Sequence, residues 1–312
     1  MQKSQKGFTV LEILVALTIG VFLFAGVLSI FVSMRATTQE TSDYGELQEN
    51  GRFALAVLSD ELLRADFWGD FASKFSKDSL VSSPASPTGA DCIGDGLNNR
   101  TFPQAVGPFR TLWSDAVSAA NPINCIADAK LNSDLLQLKR VVSTPVTAAT
   151  AGRYYLTSNL SVGAIYAGAG SIPFLENSRT WEYQHRIYYI REEGPSNVPV
   201  LMQGRLTTGM VFSPLVEGIE RIHFEFGIDT NGDGSVNSFI AASDMTDAYW
   251  NGSIDSKILA VKVYVLARAV TEDFDYTNGN TYQLGQISVT PNDNFRRLLF
   301  SSTVTLHNSG GV

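Results

Sequence analysis

Apolar positions run almost unbroken from Phe8 to Val32, and the one charged side chain among them is Glu12. A helix of roughly 20 such residues crosses a bilayer. A carboxylate inside it is expensive unless something pairs with it. Past Arg35 the pattern changes to helical spacing. Ala54, Leu55, Leu58, Leu62 and Ala65 form one apolar stripe, flanked by Asp60, Glu61 and Arg64. The first proline is Pro84, so nothing earlier forbids a long helix. These features predict one helix from about Thr9 to Ala65, with Gly45 and Gly51 as its weak points. Its first half lies in lipid and its second half packs under a folded head.

Phe67 to Asn132 lacks such a period. Ser82-Ser83-Pro84 and Asp91 to Asn99 read as loops, and Asp115 to Ala120 as a short helical turn. From Asp134 the pattern is that of strands: Leu135 to Val142, Tyr154 to Leu156 and Arg186 to Ile190. Ile222, Phe224, Phe226 and Ile228 alternate with His223, Glu225 and Gly227, a half-buried strand. Ile258 to Ala269 reads as a central strand, and Leu298 to Leu306 closes the sheet. Ala148 to Gly152 and Gly163 to Gly170 are small-residue loops or weak strands. One long helix followed by several strands predicts an α+β fold, with the stem helix packed on an antiparallel β-sheet head. The divisions are 1–7 (leader), 8–65 (stem, membrane-spanning to about residue 34), 66–133 (loop-rich) and 134–312 (β-rich head).

The leader differs from an ordinary secretory signal, in which a small-residue cut site follows an apolar stretch of about 7–15 residues. Here the cut candidate, Gly7, precedes the apolar run. Cutting there leaves that run on the mature chain with a new α-amine at Phe8, the natural counter-charge for Glu12. Lys3 and Lys6 before the span keep the leader cytoplasmic, so the chain after Arg35 lies outside the inner membrane.

The 312 residues carry a formal charge of −8; without the leader's Lys3 and Lys6 the charge is −10 over 312 − 7 = 305 residues. Such acidity disfavours binding to phosphate backbones, so no direct nucleic-acid partner is expected. Two cysteines, Cys92 and Cys125, in an exported domain are expected to form a disulfide. Its closure contributes about 3–4 kcal/mol in the chain-entropy model.

Lys6-Gly7-Phe8-Thr9-Val10-Leu11-Glu12 resembles the class III signal of type IV prepilins. The resemblance implies cleavage between Gly7 and Phe8 by a prepilin peptidase, methylation of Phe8, and a role in assembly for Glu12 as the fifth mature residue. Many major pilins carry a proline inside the stem, which this chain lacks. Further stretches resemble the PilW-type minor pilins. They are Gly51-Arg52 through Leu58, Leu62 and Arg64 to Phe67–Gly69; Ser133-Asp134-Leu135-Leu136; Leu215 to Ile219 before a strand ending Phe226-Gly227-Ile228-Asp229; and Phe295-Arg296-Arg297 through Thr303 to Asn308. The family often has Arg where His307 stands. The resemblance implies a type IV pilin-like fold and a non-enzymatic subunit of a minor-pilin complex. That complex initiates the pilus, ends at its tip and serves twitching motility and adhesion. Implied partners are other minor pilins, the major pilin and a tip adhesin. A J-type minor pseudopilin of a type II secretion system shares the leader. A membrane-anchored periplasmic binding protein or enzyme is the rival from another class, and an adhesin or DNA-uptake pilin is a third.

One stretch has the spacing of a metal loop. Asp229, Asn231 and Asp233 offer side-chain oxygens, Ser235 a carbonyl and Asn237 a contact through water, with Gly234 at the turn; structural calcium is the expected ion. Ile240 stands where a calcium loop has its final carboxylate, which leaves Asp244 or Asp247 to close the shell. The same composition also makes a plain polar turn. His185, His223 and His307 are separate surface or core residues. Trp68, Trp113, Trp181 and Trp250 read as core or interface, and Glu182 and Glu192-Glu193 as solvated.

Overall fold

The computed structural model describes residues 7–195, 197–252 and 256–308; Lys3 and Lys6 lie outside them. The chain divides into two compact units, Met1–Glu46 and Leu47–Val312.

In the first unit helix α1 (Val10–Leu63) begins. Leu14, Phe22, Phe24 and Phe31 are all exposed along it. An apolar helix without covering side chains needs lipid or neighbouring helices as its solvent. Thr18 is one of the few polar side chains inside that run. Its hydroxyl donates to the Leu14 carbonyl at 2.6 Å, which satisfies it without water.

In the second unit α1 ends against a β-rich body. The strands are β1 (Leu80–Ser82), β2 (Leu112–Ala116), β3 (Asp134–Val141), β4 (Tyr154–Ser158), β5 (Gly163–Ala167), β6 (Arg179–Glu193), β7 (Val198–Leu206), β8 (Met210–Glu217), β9 (Ile219–Asp229) and β10 (Ser238–Ala241). After a one-turn helix, α2 (Asp247–Trp250), come β11 (Lys257–Arg268), β12 (Tyr282–Leu284), β13 (Ile287–Val289) and β14 (Arg297–Thr305). The first sheet has the order β1-β5-β4-β6-β3-β2. Long β6 pairs with β3 on one flank; on the other it meets β4 through Arg179–Tyr183 and β7 through Arg186–Glu193, with β8 beyond β7. The second sheet is β10-β9-β11-β14, and β12 and β13 form a hairpin. Every pairing is antiparallel except β1 with β5. The chain crosses from β8 to β9 at Gly218, whose φ of +75° suits glycine and whose Cβ would sit 2.9 Å from the Arg268 carbonyl.

The α+β arrangement and the single long helix agree with the sequence pattern. Ile258 to Ala269 is central, as expected, and Leu298 to Leu306 is an edge. Two expectations are corrected. Asp115 to Ala120 is no helical turn: Leu112–Ala116 is a strand, because Leu112, Trp113 and Ser114 are buried in register with Leu138, Gln137 and Leu136. The strand around Ile222 to Ile228 is buried on both faces rather than one. Phe224 and Phe226 enter the main core, while the β12–β13 hairpin covers Glu225, to whose carboxylate Gln286 N donates at 2.9 Å. The region 66–133 is irregular but well anchored. Trp68 stacks on Phe75 with centroids 4.1 Å apart, and Phe102 lies between Tyr154 and Tyr183. These rings form a second apolar core beside the one that holds α1.

Candidate functional site

The first candidate is the start of α1. Gly7 and Phe8 precede the helix in irregular, exposed backbone, a form that an enzyme can bind in extended shape. Thr9 is the N-cap and Glu12 the third helical residue. Thr9 N donates to Glu12 Oε2 at 2.9 Å, the Thr9 hydroxyl donates to the same oxygen at 3.0 Å, and Glu12 N donates back to Thr9 Oγ1 at 3.3 Å. This is a capping box, in which two helix-end amides without partners are satisfied reciprocally. In the uncut chain Glu12 is therefore already employed. Both Thr9 donors use Oε2, which leaves Oε1 outside the box.

The other end of α1 is the seat on the sheets. Ala54, Leu58 and Leu62 are fully buried, as the stripe predicts, and each leucine contributes about 2–3 kcal/mol by leaving water. Gly51 faces the Phe300 ring of β14. Glu61 points inward and meets Arg140 of β3, with Nη2 to Oε2 at 3.0 Å. Asp66 closes the helix with a φ of +59° and accepts the Trp68 indole N–H at 2.9 Å. From the far end of the chain, Asn308 donates its amide to the Ala65 carbonyl at 3.0 Å, filling one of the acceptors that a helix end leaves bare. None of Gly51–Phe300, Glu61–Arg140 or Ala65–Asn308 was expected from sequence, since each joins residues far apart in the chain.

The stretches that carry the family resemblance have structural duties. Beyond the end of β10, Ser133 and Asp134 take up the bare edge of β9: Ile222 N donates to Ser133 Oγ at 3.1 Å and Phe224 N to Asp134 Oδ2 at 2.8 Å. Arg297 holds Asp293 through both Nη atoms at 2.6 Å and Glu220 at 2.9 Å. Arg296 meets Asp273 at 3.0 Å, and the Arg268 guanidinium lies 4.2 Å from the centroid of the Phe295 ring. These residues fasten β14 and the loop before it to the sheet that seats the stem.

Cys92 and Cys125 form the expected disulfide, with Cα atoms 4.9 Å apart. Residues Asp229 to Asn237 come together as a turn at the end of β9. Asp229 is buried and accepts the N–H groups of Asn231 (3.1 Å), Gly232 (2.7 Å) and Gly234 (2.8 Å). Burial works against its ionisation, but the amides of Gly234, Gly232, Asn231 and Asp233 outweigh this and hold its carboxyl below the usual range. Asp233 accepts from Ser235 N at 2.8 Å, and Asn237 Oδ1 from Thr230 N at 2.7 Å. Asp247 turns away to pair with Arg110 at 2.6 Å and does not close a shell around the loop. Among the described residues no three His, Cys, Asp or Glu side chains are grouped to hold a metal. His185 and His223 are buried core residues, and the four tryptophans are core as well. Glu182, Glu192 and Glu193 are ion-paired, with Arg153, Lys130 and Arg191.

Residues 187–308 match the family model Type IV Pilus-assembly protein W, and residues 2–28 match the Prokaryotic N-terminal methylation motif. Curated proteins and solved structures give no match to the chain. The first match spans β7 to β14, with Phe300 and the clamping Arg296 and Arg297, but not Ser133, Asp134 or Arg140 of β3; the second spans the cut candidate, the capping box and most of the exposed apolar part of α1. On these findings the chain is similar to the type IV pilus-assembly protein W family over residues 187–308 and carries the prokaryotic N-terminal methylation motif over residues 2–28.

Proposed function

We propose that the protein is a non-enzymatic minor pilin that joins other minor pilins in a complex priming the pilus and remaining at its tip. A prepilin peptidase cuts after Gly7, and the stem waits in the inner membrane with the head on the periplasmic side. The new Phe8 amine then pairs with Glu12, in the same chain or in an adjoining one. The observation that carries this reading is the combination at the start of α1: a methylation motif, a lone carboxylate one turn into the helix, and an apolar surface exposed among the described residues. Exchanging lipid for neighbouring stems while neutralising that carboxylate drives assembly and helps set its register. The match over residues 187–308 favours the pilus over a secretion-system pseudopilin. The major pilin and a tip adhesin are the further proposed partners.

The test is Glu12→Ala in the producing cell. Leader removal, read by mass spectrometry, should proceed, and surface pili should be lost or shortened. Normal piliation in that strain would sink the pairing mechanism. We also propose that the Asp229–Asn237 turn, with Asp229, Asn231, Asp233, Ser235 and Asn237 as donors, takes calcium as a structural ion. The spacing of its oxygens supports this.

A further inference from the structure

β3 carries a cation in an unusual place. Lys139 is 1% exposed, and lysines are rarely buried without a charged partner. Its Nζ donates to Asn99 Oδ1 at 2.9 Å and to the Arg110 carbonyl at 2.8 Å, over the Phe109 ring at 5.1 Å. Both oxygens are neutral, and among the described residues Lys139 forms no salt bridge. Burial, with Arg110 nearby, pushes its ammonium far below the usual lysine range, against the opposing pull of Asp91. His185, opposite Lys139 across the strand pair, is pushed well below the usual histidine range chiefly by burial.

The amide facing Lys139 is equally confined. Asn99 is 1% exposed, and its Nδ2 donates to the Asp95 carbonyl at 3.0 Å. Gly94 makes room for it, since a Cβ there would lie 2.3 Å from Nδ2. Asp91 lies within electrostatic reach of Lys139 without pairing with it. Its Oδ1 accepts Thr101 N–H at 3.1 Å, while its Oδ2 is buried with no hydrogen-bond partner among the described residues. A buried amine whose charge burial disfavours and a pinned carboxamide hydrogen-bonded to it, shut away from water beside an aromatic ring, are the reactants for an amide exchange.

We propose that Lys139 and Asn99 condense into an intramolecular isopeptide bond. Nζ attacks Asn99 Cγ, a new Nζ–Cγ bond forms, and the Cγ–Nδ2 bond breaks. A proton of the attacking nitrogen passes to the leaving one, so that one ammonia departs. Electrons balance without any oxidant or reductant. The bond ties the segment that crosses over β3 to β3 itself, beside the Cys92–Cys125 disulfide in sequence, and no thiol opens it. It does not depend on the pilus reading.

The test uses the full chain extracted from membranes in detergent, reduced, alkylated, denatured and digested with trypsin. The expected product is one branched species joining residues 78–100 to 131–140, short by the mass of one ammonia and uncut after Lys139. Separate peptides with intact Asn99 and free Lys139 would overturn the bond.

Discussion

A Cβ placed on Gly51 would lie 2.1 Å from Cε2 of Phe300, so the stem helix and β14 meet at a spot where only glycine fits without movement. Alanine would favour the helix by about 1 kcal/mol. The overlap is expected to outweigh that gain, since overpacking costs about 1–3 kcal/mol. Gly51→Ala should therefore lower the midpoint of urea unfolding, whereas the same change in a Phe300→Ala background should raise it. Equal effects in both backgrounds would mean that Phe300 swings aside freely.

The Glu61–Arg140 pair predicts a second asymmetry. Their side chains are 10% and 5% exposed, and each leaves the other buried if removed. Glu61→Leu or Arg140→Met alone should lose about 3–5 kcal/mol. The double variant should recover most of it, because two apolar side chains leave no charge stranded. Unfolding of all four proteins in one double-mutant cycle measures the coupling.

Asp66 gives the sequence of pH effects at the stem's end. Burial raises its carboxyl to about 6, while bonds from Trp68 and Thr111 pull it down. The folded chain thus holds this proton more tightly than the unfolded chain, whose value is near 3.8. The contribution is fully present below about pH 4 and is lost as pH rises through about 6. A shift of this size is worth about 3 kcal/mol at most, and less here because the residue is partly exposed. Asn keeps an acceptor for Trp68 and tolerates positive φ. Asp66→Asn should therefore stabilise the head at pH 8 and change little at pH 4. A variant equally stable to wild type at both values would show that Asp66 titrates normally.

What sequence could reach follows from the range of each interaction. The stem was legible because Leu58 and Leu62 repeat with the helix, and β11 because its apolar run is continuous. The methylation motif was legible because its residues lie side by side in the chain. β7 and β8 were missed, since Gly204 and Pro214 interrupt their alternation, and β9 looked half-exposed because the hairpin over Glu225 comes about 60 residues later. The clusters around Trp68 and Lys139 have no period at all. Their members arrive from loops and strands with irregular spacing, so only the folded chain brings them together.

The turn at Asp229 offers the last test. Its depressed carboxyl contributes stability that is present above the ordinary aspartate range and is lost as pH falls through the folded value. Asp229→Asn keeps the shape but removes the charge facing the N–H groups of Asn231, Gly232 and Gly234. The variant should unfold earlier than wild type at pH 7, and the gap should close toward pH 2. If calcium adds to this turn, its charge falls on oxygens that the backbone has already oriented. Titrating calcium into chelated wild-type protein should raise its melting temperature, by mass action on the folded state. Asp229→Asn and Asp233→Asn should both flatten that response. Wild-type protein that melts identically with chelator and with excess calcium would leave the turn as backbone architecture alone, with Asp229 serving the three amides and no ion.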